Sequence, residues 1–216
     1  MVAKRVDLDG YSRRATFEAF SNHEVPVLSV TCEIDISPLL AFHEMHGLRF
    51  FPLIAYLIDK AINQVDEMRH RIVDGELYEY DVVSPSFTVL LADKTISFCD
   101  AVHCSDARAF YWQVIERSEE VQRKSDLEMR EKHGQYFVSN IPWLRFSSFT
   151  HPYFSKYASI PIVTIGKYER LGAKATLPVA LQAHHGLVDG YHLGRFYESL
   201  AETVRNAHDE LRPIVA

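Results

Sequence analysis

The sequence predicts a mixed α/β fold in which helices pack on a β-sheet. Apolar, β-branched runs of strand length alternate along the chain with longer amphipathic runs of helical spacing. The chain has 216 residues, of which 47% are hydrophobic and 24% charged, an ordinary globular composition. No linker, low-complexity tract or internal repeat divides it, so we expect a single domain over residues 1–216.

The first quarter of the chain predicts a strand followed by two helices. Residues 27–34 are apolar and β-branched, as in a strand. A helix is expected to begin near Pro38, because capping residues precede a proline at an early helical position. A second helix after Pro52 is predicted by core-facing residues at helical spacing, namely Ile54, Leu57, Ile58, Ala61, Ile62 and Val65.

The middle of the chain predicts a hairpin, a strand and a helix. Residues 70–80 form two short extended runs around Asp74-Gly75, a strong two-residue hairpin turn. Residues 87–91 read as a strand. A helix with a charged outer face is then expected to continue towards Glu131, on the spacing of Phe110, Val114, Ile115 and Val121.

The last part of the chain predicts two strands and a helix. Residues 160–168 and 175–185 are rich in β-branched and apolar side chains. An amphipathic helix follows, with one apolar face formed by Leu193, Phe196, Leu200 and Val204.

Charge and hydropathy exclude several classes of protein. The formal net charge of −6 argues against binding to nucleic acid or to an anionic membrane, since both need a basic face. The longest apolar stretch, near residues 50–58, is far shorter than the ~20 residues of a membrane-spanning helix. The N-terminus does not resemble a signal peptide. Three cysteines without a CxxC pair fit a reducing compartment, so we expect a cytoplasmic protein.

The chemistry is expected where the last strand turns into the last helix. If the strand alternates, His185 shares the apolar face of Leu181 and Ala183, whereas His184 lies on the other face. Desolvation disfavours imidazolium, so a histidine there stays neutral and can accept a proton. His185 is therefore a candidate general base, and Asp189 is placed to cap the helix that follows.

Each of these residues also has a purely structural interpretation. A histidine at the end of a strand can be a hydrogen-bonded core residue, and Asp189-Gly190 can serve the turn alone. Two adjacent histidines also resemble a metal site. Their side chains point to opposite faces of a strand, however, and no third ligand lies at metal-site spacing, so we expect no metal.

Residues 184–190, His-His-Gly-Leu-Val-Asp-Gly, match the HHxxxDG signature of chloramphenicol acetyltransferases and of dihydrolipoyl acyltransferase catalytic domains. The chain resembles the first group along most of its length, in residues 11–18, 71–77, 137–149 and 164–168. This resemblance implies a two-layer mixed-sheet sandwich that assembles as a homotrimer, with active sites at subunit interfaces. It also implies acetyl-CoA as co-substrate and chloramphenicol, a small molecule, as acceptor.

The resemblance implies a role for each catalytic residue. His185 is the base that takes the proton of the acceptor hydroxyl, which attacks the acetyl-CoA thioester directly. Ser148 matches the serine whose hydroxyl stabilises the oxyanion. Asp189 matches an aspartate that pairs with an N-terminal arginine, here Arg13. Thr164, Lys167 and Tyr168 are candidates for the coenzyme channel, with ordinary strand residues as the alternative.

Two segments depart from the family pattern. Phe20 stands where a tyrosine is usual, and Glu24 where an aliphatic residue is usual. Arg145 replaces a small polar residue. A carboxylate beside an aryl ring would be poorly solvated, and an arginine would narrow the acceptor pocket or bind an anionic acceptor. These three residues are candidates for binding the acceptor.

The departures leave other functions open. The same machinery could acetylate a different alcohol, or the chain could be a trimer that binds the antibiotic without turnover. A dihydrolipoyl acyltransferase would need a thiol acceptor, and a purely structural protein is the weakest alternative. Acetyl transfer to chloramphenicol is the leading hypothesis.

Overall fold

The computed structural model describes residues 1–125, 127 and 132–216. The strands of these ranges are β1 (Ala3–Arg5), β2 (Val27–Asp35), β3 (His70–Val73), β4 (Glu76–Tyr80), β5 (Ser84–Leu90), β6 (Ile96–Asp100), β7 (Gln135–Asn140), β8 (Ile162–Ile165), β9 (Glu169–Leu171) and β10 (Lys174–His184). The helices are α1 (Arg14–Ser21), α2 (Ser37–His46), α3 (Phe50–Asn63), α4 (Ala107–Arg123), α5 (Gly190–Arg205) and α6 (Ala207–Leu211). Three short 3-10 turns lie at Asp66–Arg69, Ser155–Tyr157 and Arg212–Ile214.

The described strands form one large mixed sheet and one small one. The large sheet has the order β2-β10-β8-β7-β5-β6, and β9 pairs with β10. Its β5–β7 and β7–β8 pairs are parallel and the others antiparallel. The small sheet has the order β1-β4-β3. The predicted mixed α/β architecture is therefore confirmed.

The helices cover one face of the large sheet, which makes the two layers. Helix α3 lies against α4 and α5, while α5 packs on β2 and α4 on β5 and β6. From β10, Leu177, Val179, Leu181 and Ala183 enter the core cluster. The alternate residues Gln182 and His184 are buried as well, but lie outside that cluster. The core therefore lies between the helices and one face of β10.

Most predicted elements are present, and their bounds differ in physically explicable ways. The hairpin turn at Asp74 and Gly75 has φ values of 50° and 81°, the left-handed pair that an Asp-Gly turn favours. The strand predicted over residues 160–168 is observed as Ile162–Ile165; Gly166 N still donates to Pro178 O on β10, whereas Lys167 N turns to Leu144 O in another segment. Helix α4 ends at Arg123, and Glu131, towards which it was expected to continue, lies outside the described residues.

Strands β6 and β7 were not predicted from the sequence. Both are short, and their burial comes from packing against α4 and against neighbouring strands rather than from a long local pattern. Cys32, Cys99 and Cys104 are free thiols. Within the described ranges, no helix combines the length and hydropathy needed to cross a lipid bilayer.

Candidate active site

His185 lies directly after β10, at the point where this strand meets the start of β2. Its backbone N–H donates to Pro26 O at 2.7 Å. Its half-buried imidazole stacks on the ring of Phe20 in α1, with 3.8 Å between the centroids and 22° between the planes. A Cβ at Gly186 would lie 2.8 Å from Ser21 Oγ, so the glycine permits α1 to approach this closely. Helix α1 thus forms one wall around His185.

One hydrogen bond fixes which nitrogen of His185 carries the proton. His185 Nδ1 lies 3.1 Å from Val188 O. A carbonyl oxygen can only accept, so Nδ1 is the protonated nitrogen in the neutral imidazole. Nε2 then carries the lone pair, which is the arrangement that a general base requires.

His184 is a different kind of histidine. It is 5% exposed, and its Nδ1 accepts the backbone N–H of Gly186 at 3.1 Å. Burial, with a smaller contribution from His185, lowers the pKa of His184 to about 4. The side chain is therefore neutral at physiological pH and supports the turn. Within the described part of the chain, no three histidine, cysteine or carboxylate side chains are grouped to hold a metal.

Arg13 and Asp189 form an ion pair, with 2.7 Å between Arg13 Nη1 and Asp189 Oδ2. Asp189 also caps α5, since its Oδ1 accepts the N–H of Tyr191 at 3.0 Å. Burial alone would raise the pKa of Asp189, but the Arg13 hydrogen bond, the nearby His192 and the Tyr191 N–H together lower it. The pair joins the start of α1 to the start of α5, on either side of His185. No hydrogen bond connects Asp189 to His185 in the described residues, so the two do not form a hydrolase-type triad.

Ser148 is exposed, in an irregular segment that spans residues 141–154. Two hydrogen bonds fix the following residues on the sheet. Ser29 Oγ donates to Phe149 O at 2.7 Å, and His151 N donates to Gln182 Oε1 at 2.9 Å. Among the described residues, no hydrogen bond joins Ser148 to His185.

The segment before Ser148 is held close to the end of β8. Lys167 N donates to Leu144 O at 2.7 Å. A Cβ at Gly166 would lie 2.7 Å from the Phe146 ring and 2.8 Å from Leu144 O. Only glycine therefore allows the segment to approach Gly166 this closely.

Arg145 is engaged within its own chain. Its guanidinium contacts Glu33, lies 3.2 Å from Thr176 Oγ1 and lies 3.5 Å from Glu169 Oε2. These partners belong to β2, β10 and β9. Glu24 is exposed in the bend between α1 and β2 and has no hydrogen bond among the described residues.

A cavity of about 460 Å³ opens at the end of β8. Lys167 and Tyr168 line it, and the Tyr168 ring lies 5.7 Å from that of Phe50. The other lining residues are Phe51, Asn140, Pro142, Ile165 and Gly166. Thr164 faces the other side of the sheet, where its Oγ1 lies 2.7 Å from His151 Nε2. Of the three coenzyme candidates, two therefore share this cavity and Thr164 does not.

Two further polar residues beside Thr164 were not singled out from the sequence. Ser139 lies opposite Thr164 in the parallel β7–β8 pair, and His151 contacts Thr164 from the irregular segment. Ser139 follows the buried Val138, so in a strand its side chain lies on the opposite face of the sheet. This placement can be made only once β7 is recognised as a strand. Nothing local in the sequence places His151 on the sheet.

Comparisons with known proteins agree along the chain. The family model described as "Chloramphenicol acetyltransferase" matches residues 1–201. Chloramphenicol acetyltransferase 3 of Escherichia coli is 35% identical over 209 residues, covering 92% of this chain and 95% of that protein. The chloramphenicol acetyltransferase of Proteus mirabilis is 33% identical over 211 residues, covering 91% and 92%.

Solved structures show the same fold. A chloramphenicol acetyltransferase superposes with a TM-score of 0.88 at 23% identity, covering 94% of this chain and all of that one. The dihydrolipoamide acetyltransferase of Azotobacter vinelandii superposes with a TM-score of 0.70 at 17% identity, covering 91% and 88%. On the family match and the identity to curated relatives, this chain belongs to the chloramphenicol acetyltransferase family.

Proposed function

We propose that the protein transfers the acetyl group of acetyl-CoA to a hydroxyl of chloramphenicol, and so inactivates the antibiotic. Family membership and the names of the curated relatives support this reaction. The structural observation that carries the proposal is the bond between His185 Nδ1 and Val188 O, which leaves Nε2 as a proton acceptor on a half-exposed imidazole.

The chemistry is a direct acyl transfer. His185 Nε2 removes the proton of the acceptor hydroxyl while its oxygen attacks the thioester carbonyl carbon. The tetrahedral intermediate collapses as the C–S bond breaks, and the leaving thiolate takes the proton from His185. A positioned base of this kind contributes about 10²–10⁴-fold to the rate. Asp189, paired with Arg13, supports the backbone around His185 without touching its ring.

Two serines are candidates for the oxyanion donor. Ser148 matches by resemblance, but it is exposed in an irregular segment. Ser139 is half-buried on β7 beside Thr164. The segment of Ser148 is anchored to the sheet on both sides, through Leu144 O and Phe149 O, so its position outside a strand does not exclude it, and both serines stand as candidates. Removing the true donor should lower kcat by about 10²–10³-fold, measured for Ser139→Ala beside Ser148→Ala.

We propose that the active protein is a homotrimer with sites shared between subunits. Ser139 on β7 pairs with Thr164 on β8, and Thr164 pairs with Ala180 on β10. Ala180 precedes His185 by five residues, which is about 16 Å along a strand. One substrate cannot bridge that separation within a single chain, whereas a neighbouring subunit can bring its serine to His185. Exposed Trp143, at 62%, is an apolar residue that such an interface would cover.

Subunit mixing tests this arrangement. His185→Ala chains would be co-expressed with chains of the serine variant, Ser148→Ala or Ser139→Ala, that shows the large loss of kcat. Every mixed trimer then contains one intact site if the two residues come from different subunits. Acetylation that reappears in the mixture supports the shared site, whereas an inactive mixed trimer contradicts it. Light scattering gives the mass of the assembly.

We propose that the cavity beside Lys167 and Tyr168 admits the coenzyme. Phe50 and Tyr168 offer aromatic surface for a planar base, and Lys167 offers a cation for phosphate. Lys167→Ala should raise KM for acetyl-CoA with little change in kcat. An unchanged KM would exclude this cavity. The availability of acetyl-CoA and three free thiols support action in the cytoplasm.

A different alcohol acceptor remains the second candidate, on one observation. Glu24 is an exposed carboxylate four residues after Phe20, which stacks on His185. Thiol release from acetyl-CoA would be measured with chloramphenicol and with a panel of other alcohols, beside His185→Ala. Release that needs both chloramphenicol and His185 supports the first candidate. Turnover only with other alcohols would overturn it, and the Glu24→Leu variant would then be expected to acetylate chloramphenicol.

A further inference from the structure

The first turn of α5 is tied back to the residue that precedes the helix. His192, in that turn, accepts the backbone N–H of Asp189 through its Nδ1 at 3.2 Å. The Asp189 side chain accepts from the backbone of the same turn, so the two residues form a capping box. His192 is only 5% exposed. The N–H of Asp189 therefore has a buried, fixed partner at the start of the helix.

The two nitrogens of His192 have different neighbours. A backbone N–H can only donate, so Nδ1 carries the lone pair and, in the neutral ring, Nε2 carries the proton. Nε2 lies 3.4 Å from Oε1 of Glu67, in the 3-10 turn at Asp66–Arg69. Asp189 Oδ1 lies 2.9 Å from Nδ1, but this oxygen accepts the N–H of Tyr191. A proton on Nδ1 would face the donor of Asp189, whereas the Nε2–H form suits both the amide and the Glu67 carboxylate.

The N–H of Asp189 belongs to the same peptide unit as the carbonyl of Val188. That carbonyl oxygen lies 3.1 Å from Nδ1 of His185 and determines which nitrogen of the proposed base carries the proton. A peptide unit is planar, so its C=O and its N–H rotate together. A side chain that holds the N–H of Asp189 therefore also sets the direction of the Val188 oxygen. The connection runs from Glu67 through His192 and this peptide unit to His185.

Other groups hold the neighbouring peptide units of this turn. Val188 N donates to His184 O at 3.0 Å, and Leu193 N donates to Asp189 O at 3.1 Å. Neither bond involves the carbonyl of Val188 or the N–H of Asp189. These two groups bond instead to His185 on one side and to His192 on the other.

We propose that His192 is a positioning residue for the base, because it holds the peptide unit between Val188 and Asp189 so that the Val188 oxygen keeps the His185 proton on Nδ1. Nε2 of His185 is then left free to accept the proton of the acceptor hydroxyl. Glu67 has the lesser role of fixing the His192 ring. The inference rests on the acetyl transfer proposed above.

Steady-state kinetics test this role. His192→Leu removes the acceptor but keeps apolar volume, and it should lower kcat by about tenfold with KM values almost unchanged. His192→Gln should recover most of the loss, because a glutamine in this position of a helix can accept the same N–H. Asp106→Ala is the matched control, since it removes a cap bond from another helix, α4, and it should retain kcat.

¹⁵N NMR of histidine-labelled protein tests the same role without any turnover. In the wild-type protein, neutral His192 should have a protonated Nε2, and neutral His185 a protonated Nδ1. In His192→Leu, the His185 proton should be divided between the two nitrogens, because the Val188 carbonyl is no longer held towards Nδ1. The His185→Ala and His192→Gln variants assign the two sets of signals.

Three results would overturn the proposal. One is a protonated Nδ1 on His192 in the wild-type protein, a measurement for which no variant has to fold. Another is a His185 proton that stays wholly on Nδ1 in His192→Leu. The third is a loss of kcat in His192→Leu that is no greater than in His192→Gln or in Asp106→Ala. A wild-type chain without chloramphenicol turnover would refute the proposed acceptor, and the NMR result would still decide the role of His192.

Discussion

Phe20 stacks on His185 with only 3.8 Å between the ring centroids, although 165 positions of the chain separate them. The contact joins the last residue but one of α1 to the end of β10. The Val188 carbonyl fixes the proton of the imidazole, and Phe20 fixes the plane of its ring. The orientation of the His185 ring and the choice of the nitrogen that carries its proton therefore depend on different neighbours.

Replacing Phe20 separates these two contributions. Phe20→Leu keeps apolar volume but loses the stacked ring, a contact type of about 0.5–1.5 kcal/mol. We expect kcat to fall by about three- to tenfold. Phe20→Tyr keeps the stack and should retain activity. Equal activity of the Leu and wild-type proteins would show that the stack has no role in catalysis.

The ion pair between Arg13 and Asp189 can be measured against an ordinary helix cap. Asp189→Ala removes both the cap of α5 and the partner of Arg13. Asp106→Ala removes only the cap of α4, where Asp106 accepts the N–H of Ala109. Each lost cap costs about 1 kcal/mol, so the larger fall in the free energy of unfolding for Asp189→Ala gives the combined share of Arg13 and of His192, whose Nδ1 lies 2.9 Å from Asp189 Oδ1. The two values come from denaturant titration, and equal values would leave the ion pair without a stabilising role.

The lowered pKa of Asp189 also predicts a pH dependence. A carboxyl whose pKa is depressed on folding contributes stability above its unfolded pKa and loses it as pH falls through the folded pKa. The stability difference between wild type and Asp189→Asn should therefore shrink in acid. Unfolding midpoints measured from neutral pH down to about pH 3 test this. A difference that stays constant would contradict the assignment.

Gly166 is predicted to be intolerant of a side chain. An added Cβ would lie under 3 Å from the Phe146 ring and the Leu144 carbonyl, so the segment leading to Ser148 would have to move. Gly166→Ala should lower the free energy of unfolding by about 1–3 kcal/mol and reduce kcat. Gly194→Ala is the matched control, since a Cβ there meets nothing within 4 Å and alanine favours the helix. If Gly166→Ala changed neither the free energy of unfolding nor kcat, the segment leading to Ser148 would be free to move away from the added methyl group.

His103 predicts stability that declines with rising pH. Its Nδ1 lies 2.6 Å from the fully buried carboxylate of Asp59, and this hydrogen bond raises the pKa of His103. A group whose pKa rises on folding contributes fully below its unfolded pKa and loses that contribution as pH rises through the folded pKa. Denaturation midpoints should therefore fall as pH rises above about 6.5, the ordinary pKa of histidine, and His103→Gln should flatten that slope. An unchanged slope in His103→Gln would assign the dependence to other groups.

Sequence patterns predicted much of this fold because they are local. Helix α3 and strand β10 are predicted by the periodicity of their apolar residues, and Asp74-Gly75 predicts a hairpin turn. Strands β6 and β7 were missed because a short strand acquires its burial from neighbours distant in sequence. Ser139 was therefore not recognised as a sheet residue beside Thr164.

The helices and strands with long periodic patterns, the capping role available to Asp189 and the HHxxxDG segment that contains His185 could all be read from the order of residues. The protonated nitrogen of His185, the ring that stacks on it and the contact of His151 with Thr164 could be assigned only from the folded chain. Arg145, expected near the acceptor, is held by Glu33 and Glu169. The physical reason is that hydrogen-bond direction and ring packing depend on strand register and layer packing, which bring distant residues within a few ångströms.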